Sequence, residues 1–225
     1  MLKIENVDIV GWETAIRGMR NPMNSWEKSD TLFFCPSQGD IRKIGEGPNL
    51  ELMSEIGPND AGLMMKLRNA GTDHRKFMRM ITVYMDIIAP LYWWKEYDTY
   101  KVGTVANSCS TMHKIAAKEF TLDDFSHEHL EEDSIAVLES VIHTLNVHRE
   151  WFNEKARDDP KIDWWQMIQL LPSSYNQRRT VMLNYEVLAN MYKSRKNHKL
   201  DEWRTFCEYI KTFPYSELIT GKEKD

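Results

Sequence analysis

Apolar residues return at about one helical turn through the second half of the chain. Leu138, Val141, Ile142, Leu145, His148 and Phe152 predict one long amphipathic helix. "DWWQMIQLL" predicts a shorter helix closed by Pro172, and "TVMLNYEVLANMYKSR" and "LDEWRTFCEYIKTF" two more, broken near "KNH". In the first half "RMITVYMDI" alternates and is β-branched, which predicts a strand ended by Pro90 and a helix from near Leu91. "GPNDAGLMMKLRNAG" predicts a helix with Asn59 or Asp60 as N-cap and Gly71 as its stop. "GMRNPMNSWEKSD" and "CPSQGDIRKIGEGPNL" have loop composition, so the first fifty or so residues are expected to be irregular around one or two strands. Strands confined to the first half and helices dominating the second give an α+β class.

A chain of 225 residues is long enough for one large domain, residues 1–225. Hydrophobic residues at 42% and charged residues at 28% are ordinary for a globular protein. The 29 basic and 34 acidic residues are interspersed and leave a net charge of −5, which argues against a DNA- or RNA-binding surface but allows a local pocket for a small phosphate. Cys35, Cys109 and Cys207 are odd in number and contain no CxxC pair, so neither zinc nor a disulfide framework is supported, and a reducing, cytoplasmic setting fits. The N-terminal stretch has no signal-peptide pattern, and no apolar run approaches membrane-spanning length.

Candidate chemistry is sparse. No P-loop, GxGxxG or GxSxG is present. "HEH" at His127–His129 is better read as a solvated acidic turn or a helix start than as a metal pair. His143 and His148, five apart, do not share a helix face. Asp123 with Asp124 and Glu131 with Glu132 are solvated faces. Two stretches ask for more. "PLYWWKEYDTYKVGTVANSCSTMHKI" joins five aromatic rings to lysines and small polar residues. Near the C-terminus Asn184, Leu188, Asn190 or Met191, and Arg195 step along a helix at about one turn. An Asn on the Leu-bearing side of a buried helix needs partners for its amide, and Arg195 offers a fork of donors to a phosphate. The plainer reading of this second set is two surface amides and a surface Arg.

This C-terminal segment resembles that of the flavin-dependent thymidylate synthases, the thymidylate synthase complementing protein family. Leu171, Pro172, Asn184, Leu188, Asn190 and Arg195 match its Leu-Pro, Asn-x-Arg-x-Leu-x-Asn and final nucleotide-holding Arg without a gap, and His198 and Glu202 match the run that follows. Glu186 stands where the family has a flavin-contacting Arg, and Ile168 where it has another basic residue. In the aromatic stretch, Lys95, Glu96 and Tyr97 resemble Arg-Gln-Trp, and Thr99, Tyr100 and Lys101 fall on the signature's Arg-His-Arg. Thr104 falls on the first Ser, Asn107 on Glu, Cys109 on the second Ser and Thr111 on the last Arg. A register shifted by one puts Asn107 on Asn, Ser110 on the second Ser and Met112 on that Arg. His74 is similar to the family's flavin-adjacent His, and Ala15 and Arg17 to an early Ala-x-Arg.

The resemblance implies a mixed curved sheet with long flanking helices. It also implies a homotetramer with shared sites, and one-carbon transfer to dUMP using FAD, NADPH and methylenetetrahydrofolate. Lys95, Glu96, Lys101, Asn107, Cys109 and Arg195 would meet the pyrimidine nucleotide, and His74, Tyr100, Thr104, Asn184 and Asn190 the flavin; no catalytic residue is singled out. The aromatic stretch would then rim a nucleotide and flavin cleft, its alternative being a strand-to-helix connection with core anchors. Two rivals stand beside this. One is a non-catalytic nucleotide-binding protein on the same fold. The other is a different pyrimidine nucleotide-modifying enzyme with Cys109 as nucleophile, its thiolate favoured by Lys101 or Lys114. Such a cysteine is more often simply buried.

Overall fold

Strand β1 (Lys3–Val10) buries Val7 and ends at Gly11, in a computed structural model that describes residues 1–33 and 54–221. Gly11 has φ +97°, and a Cβ there would lie 2.1 Å from the Met80 carbonyl oxygen, so both conformation and space demand glycine. Helix α1 (Trp12–Arg20) follows, burying Trp12, Ala15, Ile16 and Met19 as one stripe. This corrects the expectation of irregular chain through the first fifty residues. The stripe was in the sequence, but it is short and runs into Gly18 and Asn21. "GMRNPMNSWEKSD" continues from α1 into two 3-10 turns, Asn21–Met23 and Trp26–Lys28. "CPSQGDIRKIGEGPNL", with Cys35, lies outside the described residues. Strand β2 (Leu32–Phe33) pairs antiparallel with β3 (Ser54–Glu55).

Helix α2 (Pro58–Asn69) begins after Gly57, not at Asn59 or Asp60. Its first N–H groups are satisfied from a distant part of the chain: Asn59 and Asp60 donate to the Asp30 carboxylate at 2.8 and 3.0 Å. A Cβ on Gly57 would come within 2.2 Å of that carboxylate, so the cap requires glycine there. Asp60 is freed to point inward, where Arg20 Nη2 approaches it at 2.6 Å with both side chains almost wholly buried. The Ser29 and Thr31 hydroxyls, at 2.7 and 2.6 Å, and the backbone N–H groups of Asp30 and Thr31 donate to its other oxygen.

Strand β4 (Thr82–Pro90) and helix α3 (Leu91–Tyr97) lie where the pattern puts them. Next come β5 (Val105–Ser108), α4 (Thr111–Lys114), the 23-residue α5 (Glu132–Glu154) and α6 (Lys161–Leu170). The chain closes with β6 (Asn176–Asn184), α7 (Tyr185–Arg195), α8 (Asp201–Ile210) and α9 (Glu217–Thr220). Strands β1, β4, β6 and β5, in that order, form an antiparallel sheet. The α+β class holds. Strand β6 overturns two expectations, that strands are confined to the first half and that "TVMLN" opens a helix. Gln177, Val181 and Leu183 are buried between less buried neighbours, and Asn184 resets the chain by accepting the Val187 N–H at 3.0 Å as N-cap of α7.

By contacts the chain divides into two compact units. The first comprises Met1–Lys3, Ile87–Thr99 and Asn107–Arg179; the second Ile4–Asp86, Tyr100–Ala106 and Thr180–Asp225. In the first, Trp93, Trp94 and Tyr97 are fully buried and stack edge-on or tilted at 4.9–5.3 Å. Trp94 Nε1 donates to the Gln177 carbonyl at 2.9 Å, and the Arg179 guanidinium covers its ring at 4.3 Å. These three rings are core anchors, not the rim of a cleft. A second cluster of Phe120, Phe125, Leu138, Ile142, Leu145 and Met167 seats α5. The α5–α6 hairpin is closed by Asp163, buried and bound to His148 Nδ1 at 2.8 Å and Arg157 Nε at 3.3 Å. In the second unit α7 is buried along most of its length, and Trp12 packs edge-on against Tyr185 and Tyr215 at 5.3 Å. Among the described residues no helix is long and apolar enough to cross a membrane.

Candidate functional site

In the second unit, Arg195 is the last residue of α7, where the helix's carbonyl end favours a cation. Its Nε donates to the Tyr100 hydroxyl at 3.0 Å and its Nη1 lies 3.0 Å from His198 Nε2. The guanidinium also stacks 4.8 Å from the Trp203 ring centroid. Arg195 is therefore a braced, half-buried fork rather than a mobile surface side chain. Tyr100 is fixed in turn, its carbonyl accepting the Thr104 hydroxyl. Gly103, at φ +75°, brings this turn so close to Asn184 that a Cβ would sit 3.0 Å from Nδ2. Lys101 and His74 are exposed. Asn190 is exposed too, and Asn184 stands before the helix, so neither amide occupies the buried helix face that the spacing suggested.

Glu186, in the first turn of α7, is buried yet does not stand alone. Arg75 Nε bonds one carboxylate oxygen at 3.3 Å, Arg79 bonds the other, and Arg75 also donates to Asn190 at 3.1 Å. Burial pushes the Glu186 pKa up, but the Arg79 and Arg75 guanidinium groups outweigh it and hold the carboxyl below its ordinary range. A depressed acid contributes stability above its unfolded pKa and loses it as pH falls through the folded value. Between about pH 5 and 3 the wild-type melting temperature should therefore fall more steeply than that of Glu186→Gln. Parallel slopes in scanning calorimetry would show that the two arginines do not bias this carboxyl.

In the first unit, a cavity of about 430 Å³ is lined by Cys109 and Thr111, which one register of the signature places on its second Ser and last Arg, and by Ser110, which the other register places on that Ser. Ile88, Ile115 and Tyr175 form an apolar wall, and Lys3, Lys114, Lys118 and Arg178 bring cations to it, with Asp123 and Asp124 as the acids. Lys118 is bound to Asp124, which also accepts the Thr121 N–H at 3.0 Å. Cys109, just past β5, is exposed rather than buried, and β6 holds its backbone: its N–H donates to the Arg178 carbonyl, and its carbonyl accepts from Gln177 Nε2, both at 3.0 Å. Lys95, Glu96 and Asn107 do not line this cavity. Sequence reasoning missed Lys3, Lys118 and Arg178, which come from separate parts of the chain and carry no local signal. "HEH" is a turn in which His127 Nδ1 contacts the Phe125 carbonyl at 2.8 Å. No group of three metal-ligating side chains is present among the described residues.

No protein-family model matches the sequence, nor does any curated protein. Solved structures do match. A flavin-dependent thymidylate synthase from Helicobacter pylori, complexed with FAD and dUMP, aligns over 99% of this chain and 100% of its own, with a TM-score of 0.65 at 15% identity. A second structure of the Helicobacter pylori enzyme with FAD and dUMP gives 0.64 at 14% identity, over 98% of each chain. A UMP/dUMP methylase from Streptomyces cacaoi, bound with 5-Br dUMP, gives 0.56 at 12% identity over 94% of this chain and 89% of its own. Over nearly its whole length, the chain has the fold of the flavin-dependent thymidylate synthases.

Proposed function

We propose that this protein binds dUMP and is a divergent relative of the enzymes that transfer a one-carbon unit to it. The observation that carries the reading is Arg195. The resemblance assigns it the nucleotide, and Tyr100, His198 and Trp203 hold its fork in place before any ligand arrives. An anionic cofactor fits the residues present. Glu186 replaces a flavin-contacting Arg, yet with Arg75 and Arg79 beside it the trio carries one net positive charge, as that single Arg would. Arg79, Arg75, His74 and Asn190 would hold FAD, with Tyr100, Thr104 and Asn184 in supporting positions. FAD supplies the redox chemistry of one-carbon transfer when bound, with NADPH as reductant and methylenetetrahydrofolate as donor. Lys95, Glu96, Lys101, Asn107 and Cys109 belong to the nucleotide side of this reading. A homotetramer in a cytoplasmic setting completes it.

Thr99, Thr111 and Ile168 favour a second reading, a nucleotide-binding protein without turnover. They stand where the resemblance puts three basic groups, and each lost charge-assisted contact costs about 1.5–3 kcal/mol. FAD binding is accordingly expected to be weak and dUMP methylation slow. Calorimetry with dUMP tests the common core of both readings. Arg195→Ala should weaken binding by about 2–4 kcal/mol, with the fold retained by circular dichroism. Equal affinity of the variant, or no affinity in the parent, would remove the assignment. A flavin spectrum in the purified protein would favour the enzyme over the binding protein.

A further inference from the structure

We infer that the C-terminal helix α9 is a strap whose grip is set by the charge on the Arg75–Glu186–Arg79 trio, so that an anion seated on those arginines tightens it. The strap lies in the second unit. There α9 packs against α7 and α2, and both of these pack against the 3-10 turn Arg75–Arg79. Leu218 and Ile219 are buried beneath it, and its last turn is held by one cation. Arg68, near the end of α2, donates from Nε to the Leu218 carbonyl at 3.2 Å and from Nη2 to the Ile219 carbonyl at 3.3 Å. Its Nη1 donates to Asn69 Oδ1 at 3.1 Å. Gly221 lies so close to this guanidinium that a Cβ there would come within 2.7 Å of both Nη atoms. All three acceptors are neutral. Among the described residues no carboxylate pairs with Arg68, although it is half-buried. The charge that bears on it is a like one: burial, and then the Arg75 guanidinium, pull the Arg68 pKa below the ordinary arginine range. Arg75 is itself offset by Glu186, which it shares with Arg79, and Asp73 adds its charge near Arg79. Opening the strap lets Arg68 swing into water and away from Arg75, so their repulsion favours opening. Negative charge gained at Arg75 opposes it, and by reciprocity a closed strap favours the anion. The choice of FAD as that anion rests on the cofactor reading above; the charge coupling does not.

Hydrogen exchange of the full chain, read by mass spectrometry on peptides covering the strap, provides the test. The N–H groups of Leu218, Ile219, Thr220 and Gly221 are each bonded at 2.8–2.9 Å and report its opening. Glu186→Gln removes the countercharge of Arg75 and should speed exchange in the strap about threefold. Arg75→Gln should slow it below the parent rate, although that change also breaks the bonds to Glu186 and Asn190, and Arg75→Lys should restore the parent rate. Slowing on the loss of two bonds is a sign that a merely structural role would not give. FAD added to the parent protein should slow strap exchange by about threefold. The inference is overturned if Glu186→Gln leaves the strap's exchange unchanged, or if Arg75→Gln and Arg75→Lys both speed it. Binding of FAD, followed by its fluorescence, without slowing of the strap also overturns it and leaves the cofactor reading standing. The predicted variant pattern with no FAD bound does the reverse: it supports the strap and removes FAD as the anion.

Discussion

Replacing Asp60 by alanine is expected to destabilise the protein by about 3–5 kcal/mol, the usual consequence of removing one partner from a buried ion pair. Asp60 is fully buried and gathers Arg20, two hydroxyls and two backbone N–H groups onto its two oxygens. Arg20 is itself buried. Its Nη1 and Nη2 also donate to the Ser25 and Lys28 carbonyls at 3.1 and 3.0 Å, so without Asp60 it would keep polar neighbours but lose its countercharge. Burial alone raises the Asp60 pKa, but hydrogen bonds from Thr31, Ser29 and Arg20, with the Arg20 charge, bring it below the ordinary carboxylate range. The pair is therefore ionised at neutral pH, and its contribution is lost only as pH falls through that lowered value. For a chain of this size the melting temperature should drop by on the order of 10 °C. Asp60→Asn should cost less than Asp60→Ala, because an amide can still accept from the two hydroxyls. A drop of under about 2 °C in Asp60→Ala would mean that the site relaxes and readmits water.

Trp94→Ala should cost a similar amount, about 3–5 kcal/mol. The indole is fully buried against Trp93 and Tyr97, so truncation leaves a large void in the core. It also strips the Gln177 carbonyl of its donor and the Arg179 guanidinium of the ring beneath it. Trp94→Phe should recover much of the loss, since the ring face survives and only the N–H is missing. Thermal melts of the two variants decide the matter. If Trp94→Ala and Trp94→Phe melt together, the hydrogen bond rather than the packing dominates.

The same aromatic stretch shows where the sequence was readable and where it was not. Strand β4, the stop at Pro90 and the start of α3 follow from alternation and proline chemistry, which act locally. The long α5 follows from its apolar period. The fate of Trp93, Trp94 and Tyr97 does not, because an aromatic ring serves equally in a core and in a cleft, and only tertiary packing decides. "TVMLNYEVL" failed for a related reason. Its apolar residues suit both periods, and the boundary depends on one side chain, Asn184, accepting one N–H. Arg195 stands out in the sequence because a motif of fixed spacing leads to it, and its bracing by Tyr100 and Trp203 comes only with the fold. The basic wall around Cys109 was not, since Lys3, Lys114 and Arg178 are brought together only by folding.

The Arg75–Glu186–Arg79 trio also governs which changes of sequence are open to this protein. Glu186 is buried and answers to two guanidinium groups, of which Arg79 is the more exposed. Loss of Glu186 alone leaves two like charges side by side, and loss of both arginines strands a buried carboxylate. Joint loss of Glu186 and one arginine leaves a single cation and no mismatch. The three positions are thus inherited as one character, and their substitutions are not additive. A homologous chain that lacks the glutamate is expected to carry one arginine fewer on the turn Arg75–Arg79, and a route that changes the glutamate first passes through the less stable intermediate.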